Sequence, residues 1–209
     1  QKIKESTGGK LKLGLSAAGY LDPDVFSFFQ NNEINLLSGY GMTEATHQMC
    51  CNLLDKQKPS SVGKPAGPSV RIAHEADDVL IDGTGEVVIS GNNVTPGYEN
   101  NIDANEKSFF EINGNRWFRT GDQGAFDEDG FLYLTGRLKE IINRGGEKIS
   151  PLEVDSILLD HPEINQVVTF ALPHPKLGEE VAAAVVLANN SKCDEKDIKS
   201  FAKERMACL

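Results

Sequence analysis

Gly39-Tyr40-Gly41-Met42-Thr43-Glu44 is the stretch on which the interpretation of the fold depends. It follows Ile34–Leu37, an apolar run that predicts a short strand, and it precedes a segment in which we expect a helix from Thr43. Upstream, residues 11–15 alternate between apolar and polar positions and predict another strand. Between these strands, Asp22-Pro23 is typical of a helix start. Strand, helix, strand and loop in this order predict an α/β fold with the loop at a strand end, where ligands tend to bind.

A different pattern follows in residues 58–136, where Pro and Gly separate short runs of apolar residues. Such punctuation is typical of strands joined by turns, and it predicts a β-rich subdomain. A turn is expected at residues 127–130. The predicted strands are Val70–Ile72, Glu86–Ser90, Trp117–Arg119 and Phe131–Thr135.

The pattern changes again after residue 140. Ser150-Pro151 predicts a helix start, and Asp194–Met206 has the spacing of an amphipathic helix. Val167–Ala171 and Val181–Leu187 are rich in β-branched residues and predict strands. These elements predict a small α+β domain.

The sequence therefore predicts two bodies of α/β and α+β class. The first covers residues 1–136 and includes the β-rich subdomain. The second covers residues 141–209. Residues 137–140 join the two bodies.

The bulk properties of the 209-residue chain narrow the classes of function. Its net charge of −10 and pI near 4.9 argue against a nucleic-acid partner, which would favour a basic face. No apolar run approaches the roughly 20 residues needed to span a bilayer, so we expect a soluble protein. The four cysteines lack a C-x-x-C pair, which argues against zinc and against a disulfide scaffold. A cytoplasmic and a peroxisomal location are both compatible with the sequence.

The glycine-flanked stretch has the residue types of a nucleotide site. Gly39 and Gly41 let a ligand approach the backbone without a Cβ clash. Tyr40 offers a flat face to adenine, Thr43 a hydroxyl to phosphate, and Glu44 a hard oxygen ligand to Mg²⁺. The alternative is a turn, a core tyrosine and the first residues of a helix.

Asp122 and Arg137 each follow a predicted strand. The two oxygens of the Asp122 carboxylate match the cis-diol of a ribose, which makes it a candidate sugar ligand. The alternative interpretations are a turn aspartate after Gly121 and a solvated surface arginine.

Three segments of the chain, by their order and spacing, resemble motifs of the adenylate-forming superfamily, which includes acyl-CoA synthetases, luciferases and peptide-synthetase adenylation domains. They are residues 39–44, Arg119-Thr120-Gly121-Asp122, and Gly136–Glu140 followed by Gly145-Gly146. Enzymes of this superfamily activate a carboxylate with ATP, release pyrophosphate and usually pass the acyl group to a thiol. The resemblance implies ATP, Mg²⁺ and coenzyme A as cofactors and a small carboxylate as the substrate. It also implies that residues 1–136 are the C-terminal part of a larger AMP-binding domain, residues 137–140 a hinge, and residues 141–209 an incomplete C-terminal lid domain.

The resemblance also implies roles for individual residues. A match to the loop that closes over the base is imperfect, because Tyr20 stands where many members have proline. The implied roles are closure over the base for Ser16, Ala17 and Ala18, contact with the nucleotide for Gly39, Tyr40, Gly41 and Thr43, the metal for Glu44, the ribose for Asp122 and Arg137, the hinge for Lys139, and the coenzyme A channel for Gly145 and Gly146.

Two longer strings, Met42–Met49 and Ile141–Pro151, are similar to the oxalate–CoA ligase branch of fungi and plants. In that branch the histidine that matches His47 is thought to help hold the second carboxylate of oxalate. We expect His47 on the same helical face as Glu44, one turn further along. A packing or solvent-facing histidine is the alternative.

Two other functions stay open at this point. The first is a ligase for 4-coumarate or a fatty acid, and the second is a non-catalytic binding module that retains the fold. The superfamily's glycine-rich phosphate loop and its late lysine have no match in the chain. That lysine offsets the charge of the transferring group, so we expect the 209 residues alone to be catalytically incomplete.

Overall fold

The computed structural model describes residues 5–17, 19 and 21–206. Contacts between residues divide the chain into two units, Gln1–Leu134 and Thr135–Leu209. Each unit has its own hydrophobic core. The hinge role of Lys139 stays a prediction.

The first unit begins with a four-stranded sheet that contains a parallel pair. Strands β1 (Leu13–Ser16) and β2 (Asn35–Tyr40) run parallel with Ser16 opposite Ser38, so their carboxyl ends lie at the same edge. Helix α1 (Pro23–Asn31) connects them and begins as predicted, because an Asp22 carboxylate oxygen accepts from the backbone N–H of Asp24 at 2.7 Å. The strands in spatial order are β1 (Leu13–Ser16), β2 (Asn35–Tyr40), β3 (Cys50–Cys51) and β4 (Lys64–Pro65).

The expected loop at residues 39–41 is partly wrong. Gly39 and Tyr40 belong to strand β2, where they pair with Cys51 and Cys50. The backbone turns back only at Gly41. A Cβ added there would lie 1.8 Å from the carbonyl oxygen of His47, so this close approach requires glycine.

The expected helix from Thr43 is also wrong. Residues Thr43–Ala45 form a single 3-10 turn. Thr46 and His47 then adopt φ of 51° and 66°, a left-handed conformation that ends the turn. His47 is exposed and does not share a helical face with Glu44.

A six-stranded antiparallel sheet follows and confirms the predicted β-rich region. Its spatial order is β10-β9-β7-β5-β6, and β8 pairs with β9. Helix α2 (Ile102–Ser108), which precedes β8, was not predicted, because its polar sequence has no apolar face. The strands are β5 (Ser69–Ala73), β6 (Leu80–Ile81), β7 (Gly85–Ser90), β8 (Phe109–Ile112), β9 (Asn115–Phe126) and β10 (Leu132–Arg137).

The core of this unit lies on one face of the large sheet. Val87, Ile89, Phe118 and Leu132 are each at most 2% exposed. They pack with Tyr40 of the first sheet in one cluster. The core therefore joins the strand that carries Tyr40 to the sheet that carries β9.

The second unit is a four-stranded sheet covered by two helices. Helix α3 (Pro151–Leu159) begins at Ser150, whose hydroxyl accepts from the N–H of Glu153, and α4 (Glu195–Arg205) begins with a capping box, so both predicted helices are confirmed. The strands in spatial order are β12 (Glu147–Ile149), β11 (Ile142–Arg144), β14 (Gly178–Leu187) and β13 (Ile164–His174).

Candidate functional site

Tyr40 and Asp122, which the sequence places far apart, meet inside the first unit. The Tyr40 hydroxyl donates to Oδ2 of Asp122 at 2.5 Å. Tyr40 is 9% exposed and Asp122 is 6% exposed. Burial raises the pKa of Tyr40 well above its ordinary value, and the nearby Asp122 carboxylate raises it further. The phenol therefore stays protonated as a donor to the carboxylate.

Asp122 lies within strand β9, not at a strand end as the sequence suggested. Gly121 has a φ of 74°, and the pairing of β7 with β9 shifts register here. Thr120 supports the irregular backbone, since its hydroxyl donates to the carbonyl of Val87 at 2.7 Å and accepts from the N–H of Asp122 at 3.1 Å. This bulge turns the carboxylate of Asp122 toward Tyr40.

A buried carboxylate that the sequence did not single out supports the same bulge. Glu86 is 5% exposed, and its Oε1 accepts from the N–H of Gly121 at 3.0 Å. Its Oε2 pairs with Arg119 at 2.5 Å. The signal in the sequence was a lone glutamate directly before the apolar run Val87–Ile89.

The 3-10 turn presents Glu44 beside a loop from the large sheet. Oε1 of Glu44 accepts from the Tyr98 hydroxyl at 2.9 Å, and the backbone N–H of Thr95 donates to the Glu44 carbonyl at 2.7 Å. Tyr98 is a second residue that the sequence did not single out. Thr43, the first residue of the turn, and His47, which follows the turn, are exposed.

The remaining predicted residues of this unit lie at the carboxyl ends of strands. Ser16 ends β1 and Ala17 follows it, adjacent to the end of β2 where Gly39 and Tyr40 lie. Ala18 lies outside the described residues. The parallel pair thus brings the segment at Ser16 close to the glycine-flanked stretch, in the position that open α/β sheets use for ligands.

In the second unit, Arg137 ends β10 and Lys139 lies in the turn that follows. The carbonyl of Arg137 accepts from the N–H groups of Glu140 at 2.8 Å and Ile141 at 3.1 Å. Both Arg137 and Lys139 are exposed. An exposed turn directly after a strand is compatible with a hinge.

Gly145 and Gly146 form the tight turn between β11 and β12. Their φ values are 61° and 97°, as a two-residue hairpin turn requires. The N–H of Gly145 donates to the carbonyl of Leu177 at 2.8 Å, and Arg144 pairs with Glu180 at 2.5 Å. The turn therefore lies at the rim of a shallow groove that Lys176 and Leu177 also line.

The donor set of the first unit fits a nucleotide with Mg²⁺. Magnesium is usually held by one or two carboxylates together with substrate phosphates and water, and Glu44 supplies such a carboxylate. Within residues 5–17, 19 and 21–206, no group of three or more His, Cys, Asp or Glu side chains could hold a metal by itself. Tyr40 is 9% exposed and its hydroxyl is bonded to Asp122, and its contact with adenine stays a prediction.

Comparisons with known proteins identify the family to which this chain belongs. The model of the AMP-binding enzyme family matches residues 1–99, and the model of the AMP-binding enzyme C-terminal domain matches residues 153–208. The chain belongs to the AMP-binding enzyme family. None of the helices in the described part of the chain has the length and apolar character of a membrane span.

Among its relatives are two oxalate–CoA ligases. That of Arabidopsis thaliana is 46% identical over 205 residues, which cover 96% of this chain and 39% of the relative. That of Saccharomyces cerevisiae is 50% identical over 175 residues, which cover 82% of this chain and 32% of the relative. The chain thus spans at most about two fifths of the length of these relatives.

Solved structures of the same fold include two with bound ATP. MatB from Rhodopseudomonas palustris with ATP has a TM-score of 0.88 at 27% identity, covering 98% of this chain and 41% of that one. The o-succinylbenzoate–CoA synthetase MenE of Bacillus subtilis with ATP and magnesium has a TM-score of 0.81 at 28% identity. The match covers 100% of this chain and 44% of MenE. The predicted α/β and α+β fold is therefore confirmed.

Proposed function

We propose that the chain is part of an ATP-dependent acid–CoA ligase that activates oxalate. The observation that carries the proposal is the buried Tyr40–Asp122 hydrogen bond beside the Glu44 turn, in a chain 46–50% identical to oxalate–CoA ligases. In the reaction, an oxalate oxygen attacks the α-phosphorus of ATP, and pyrophosphate leaves with the electrons of the broken bond. The thiol of coenzyme A then attacks the acyl carbon and AMP leaves.

The residues of the first unit are assigned to the first step. Asp122, fixed by Tyr40, accepts hydrogen bonds from the ribose hydroxyls, and Thr43 donates to a phosphate oxygen. Glu44 is the ligand to Mg²⁺, which when bound offsets phosphate charge. Ser16 and Ala17, at the strand edge beside Gly39 and Gly41, and Ala18 border the base. Tyr40 is assigned to contact with adenine, and its hydroxyl orients Asp122.

His47 is assigned to the second carboxylate of oxalate. An unpaired carboxylate is costly to desolvate, so a donor close to it stabilises the bound substrate. His47 is exposed at the end of the 3-10 turn, where its imidazole is free of core packing. This assignment rests on the similarity to the oxalate branch and no longer on a shared helical face.

The residues of the second unit are assigned to the second step. Arg137 contacts the nucleotide, Lys139 is the pivot, and Gly145 and Gly146 border the path of the coenzyme A arm. An exposed glycine turn leaves room for a pantetheine chain.

The test uses the full-length protein that contains this chain, with Mg²⁺·ATP and a panel of oxalate, malonate, acetate, 4-coumarate and a fatty acid. We expect pyrophosphate release to be fastest with oxalate and oxalyl-CoA to form when coenzyme A is added. Preference for another carboxylate would refute the substrate, and no release with any of them would favour a binding module. The 209-residue chain alone is expected to release no pyrophosphate.

A further inference from the structure

Tyr98 is held rigidly at the edge of the candidate site. Its backbone N–H donates to Oδ1 of Asn105 at 2.7 Å, and its carbonyl accepts from Nδ2 of the same side chain at 2.9 Å. Asn105 lies on helix α2, which begins with its own cap at Asn101. Two hydrogen bonds to a single amide fix both the position and the direction of the Tyr98 backbone.

The same loop holds the backbone of the 3-10 turn. The N–H of Thr95 donates to the carbonyl of Glu44 at 2.7 Å. The side-chain amide of Asn93 donates to the carbonyl of Ala45 at 3.0 Å. Residues 93–98 therefore fix the main chain from which the Glu44 carboxylate extends.

Tyr98 adds the contact that fixes the carboxylate itself. Its hydroxyl donates to Oε1 of Glu44 at 2.9 Å, while Oε2 stays available to a cation. A glutamate side chain without such a contact samples several rotamers, and binding a metal would have to order it.

We propose that Tyr98 is a positioning residue that orients the Glu44 carboxylate toward the Mg²⁺ of the bound nucleotide. The proposal rests on the role proposed for Glu44. Asn105 extends the arrangement, because it holds Tyr98 in place. A chain of contacts from helix α2 through Asn105 and Tyr98 thus sets the direction of the metal ligand.

The test measures metal binding independently of catalysis. In the full-length protein, Mn²⁺ replaces Mg²⁺, and electron paramagnetic resonance gives the affinity of the protein–ATP complex for Mn²⁺. Tyr98→Phe is expected to weaken that affinity about tenfold, since it removes one hydrogen bond to a charged group. Glu44→Gln is expected to weaken it at least as much, and adding Tyr98→Phe to Glu44→Gln should cost nothing more.

Tyr133→Phe is the matched control. Tyr133 is also a partly buried tyrosine whose hydroxyl contacts a carboxylate, that of Asp127, in the same unit. The Tyr133→Phe substitution is expected to leave the affinity for Mn²⁺ unchanged. Asn105→Ala, which keeps the Tyr98 hydroxyl but loosens its backbone, should give a smaller loss than Tyr98→Phe, and it carries the test if Tyr98→Phe does not fold.

The outcomes separate this proposal from the proposed function. Equal Mn²⁺ affinity in wild type and in the Tyr98 and Asn105 variants overturns the positioning role, whatever the activity. Failure of the wild type to bind Mn²⁺ with ATP overturns it too. A wild type that binds Mn²⁺ with ATP, loses affinity on Tyr98→Phe, and yet activates no carboxylate supports the positioning role and refutes the ligase.

Discussion

The candidate residues of the two units are held in place by different means. In the first unit, the carboxylates of Asp122 and Glu44 each accept a hydrogen bond from a tyrosine, and the Tyr40–Asp122 pair is buried. In the second unit, the Gly145-Gly146 turn is exposed and lies beside partly exposed side chains. Water competes weakly for buried contacts and strongly for exposed ones. Substitutions in the first unit should therefore cost much more than equivalent ones in the second.

The largest effect is expected from Glu86→Gln. Glu86 pairs with Arg119 at 2.5 Å, and their side chains are 6% and 16% exposed. Arg119 still pairs with Asp78 at 2.7 Å after the change, but that carboxylate is 60% exposed, so the loss of the buried partner costs about 3 kcal/mol in the free energy of unfolding. Urea denaturation of the 209-residue chain, followed by far-ultraviolet circular dichroism, measures this, because that signal reports on both units.

Glu204→Gln is the control for Glu86→Gln. Glu204 pairs with Arg205 at 3.4 Å, and its side chain is 74% exposed. Its loss is expected to leave the denaturation midpoint unchanged. If Glu86→Gln and Glu204→Gln had equal denaturation midpoints, the buried ion pair of the first unit would contribute no more stability than the exposed pair of the second unit.

Tyr40→Phe should have the next largest effect. It leaves the Asp122 carboxylate buried without its tyrosine donor, which costs about 2 kcal/mol in the free energy of unfolding. In the full-length protein the same change should weaken ATP binding, measured by calorimetry, because Asp122 is no longer oriented. A Tyr40→Phe protein with unchanged stability and unchanged ATP affinity would contradict the role assigned to the pair.

His47→Ala tests an exposed residue of the first unit. In the full-length protein we expect kcat/KM for oxalate to fall about ten- to a hundredfold, or about 1.5–3 kcal/mol, because a hydrogen bond to a charged group is lost. ATP affinity and stability should be nearly unchanged. The neighbouring exposed Gln48→Ala serves as the control, and a parallel loss of ATP affinity would remove the case for oxalate.

The smallest effect is expected from Glu180→Gln in the second unit. The hydrogen bond from Arg144 holds the pKa of Glu180 below its ordinary value of 4.5. A lowered pKa means that the contribution is present above 4.5 and disappears as the pH falls through the folded-state value. Denaturation at neutral pH should show a shift close to experimental error, and the shift should vanish in acid. A large shift of the denaturation midpoint at neutral pH would contradict the expectation that exposed contacts of the second unit contribute less stability than buried contacts of the first.

The parts of the fold that the sequence predicted are those set by local chemistry. Asp22-Pro23 and Ser150-Pro151 place a cap and a proline at helix starts, which fixes where α1 and α3 begin. The β-branched runs of β13 and β14 predict strands because such side chains pack well on a pleated surface. The match to a known family then supplied the roles of the site residues.

The rest depends on contacts that no local pattern contains. Tyr40 and Asp122 are 82 residues apart, and their contact requires the register of β7 on β9. The helix predicted after Thr43 fails because Thr46 and His47 take left-handed conformations, which Gly41 accommodates by letting the backbone fold over it. That fold-back could not be predicted from the spacing of apolar residues.

The hydrogen bond from Tyr40 to Asp122 also gives this protein an optical signal. Ionised tyrosine absorbs ultraviolet light differently from the neutral phenol, so an alkaline titration counts the phenols that can ionise. Among Tyr40, Tyr98 and Tyr133, the tyrosines that the structure describes, Tyr40 is the most deeply buried and has a carboxylate partner, and it should stay neutral in alkali for as long as the first unit is folded. The pH at which the tyrosinate band of Tyr40 appears would therefore mark the unfolding of the candidate site.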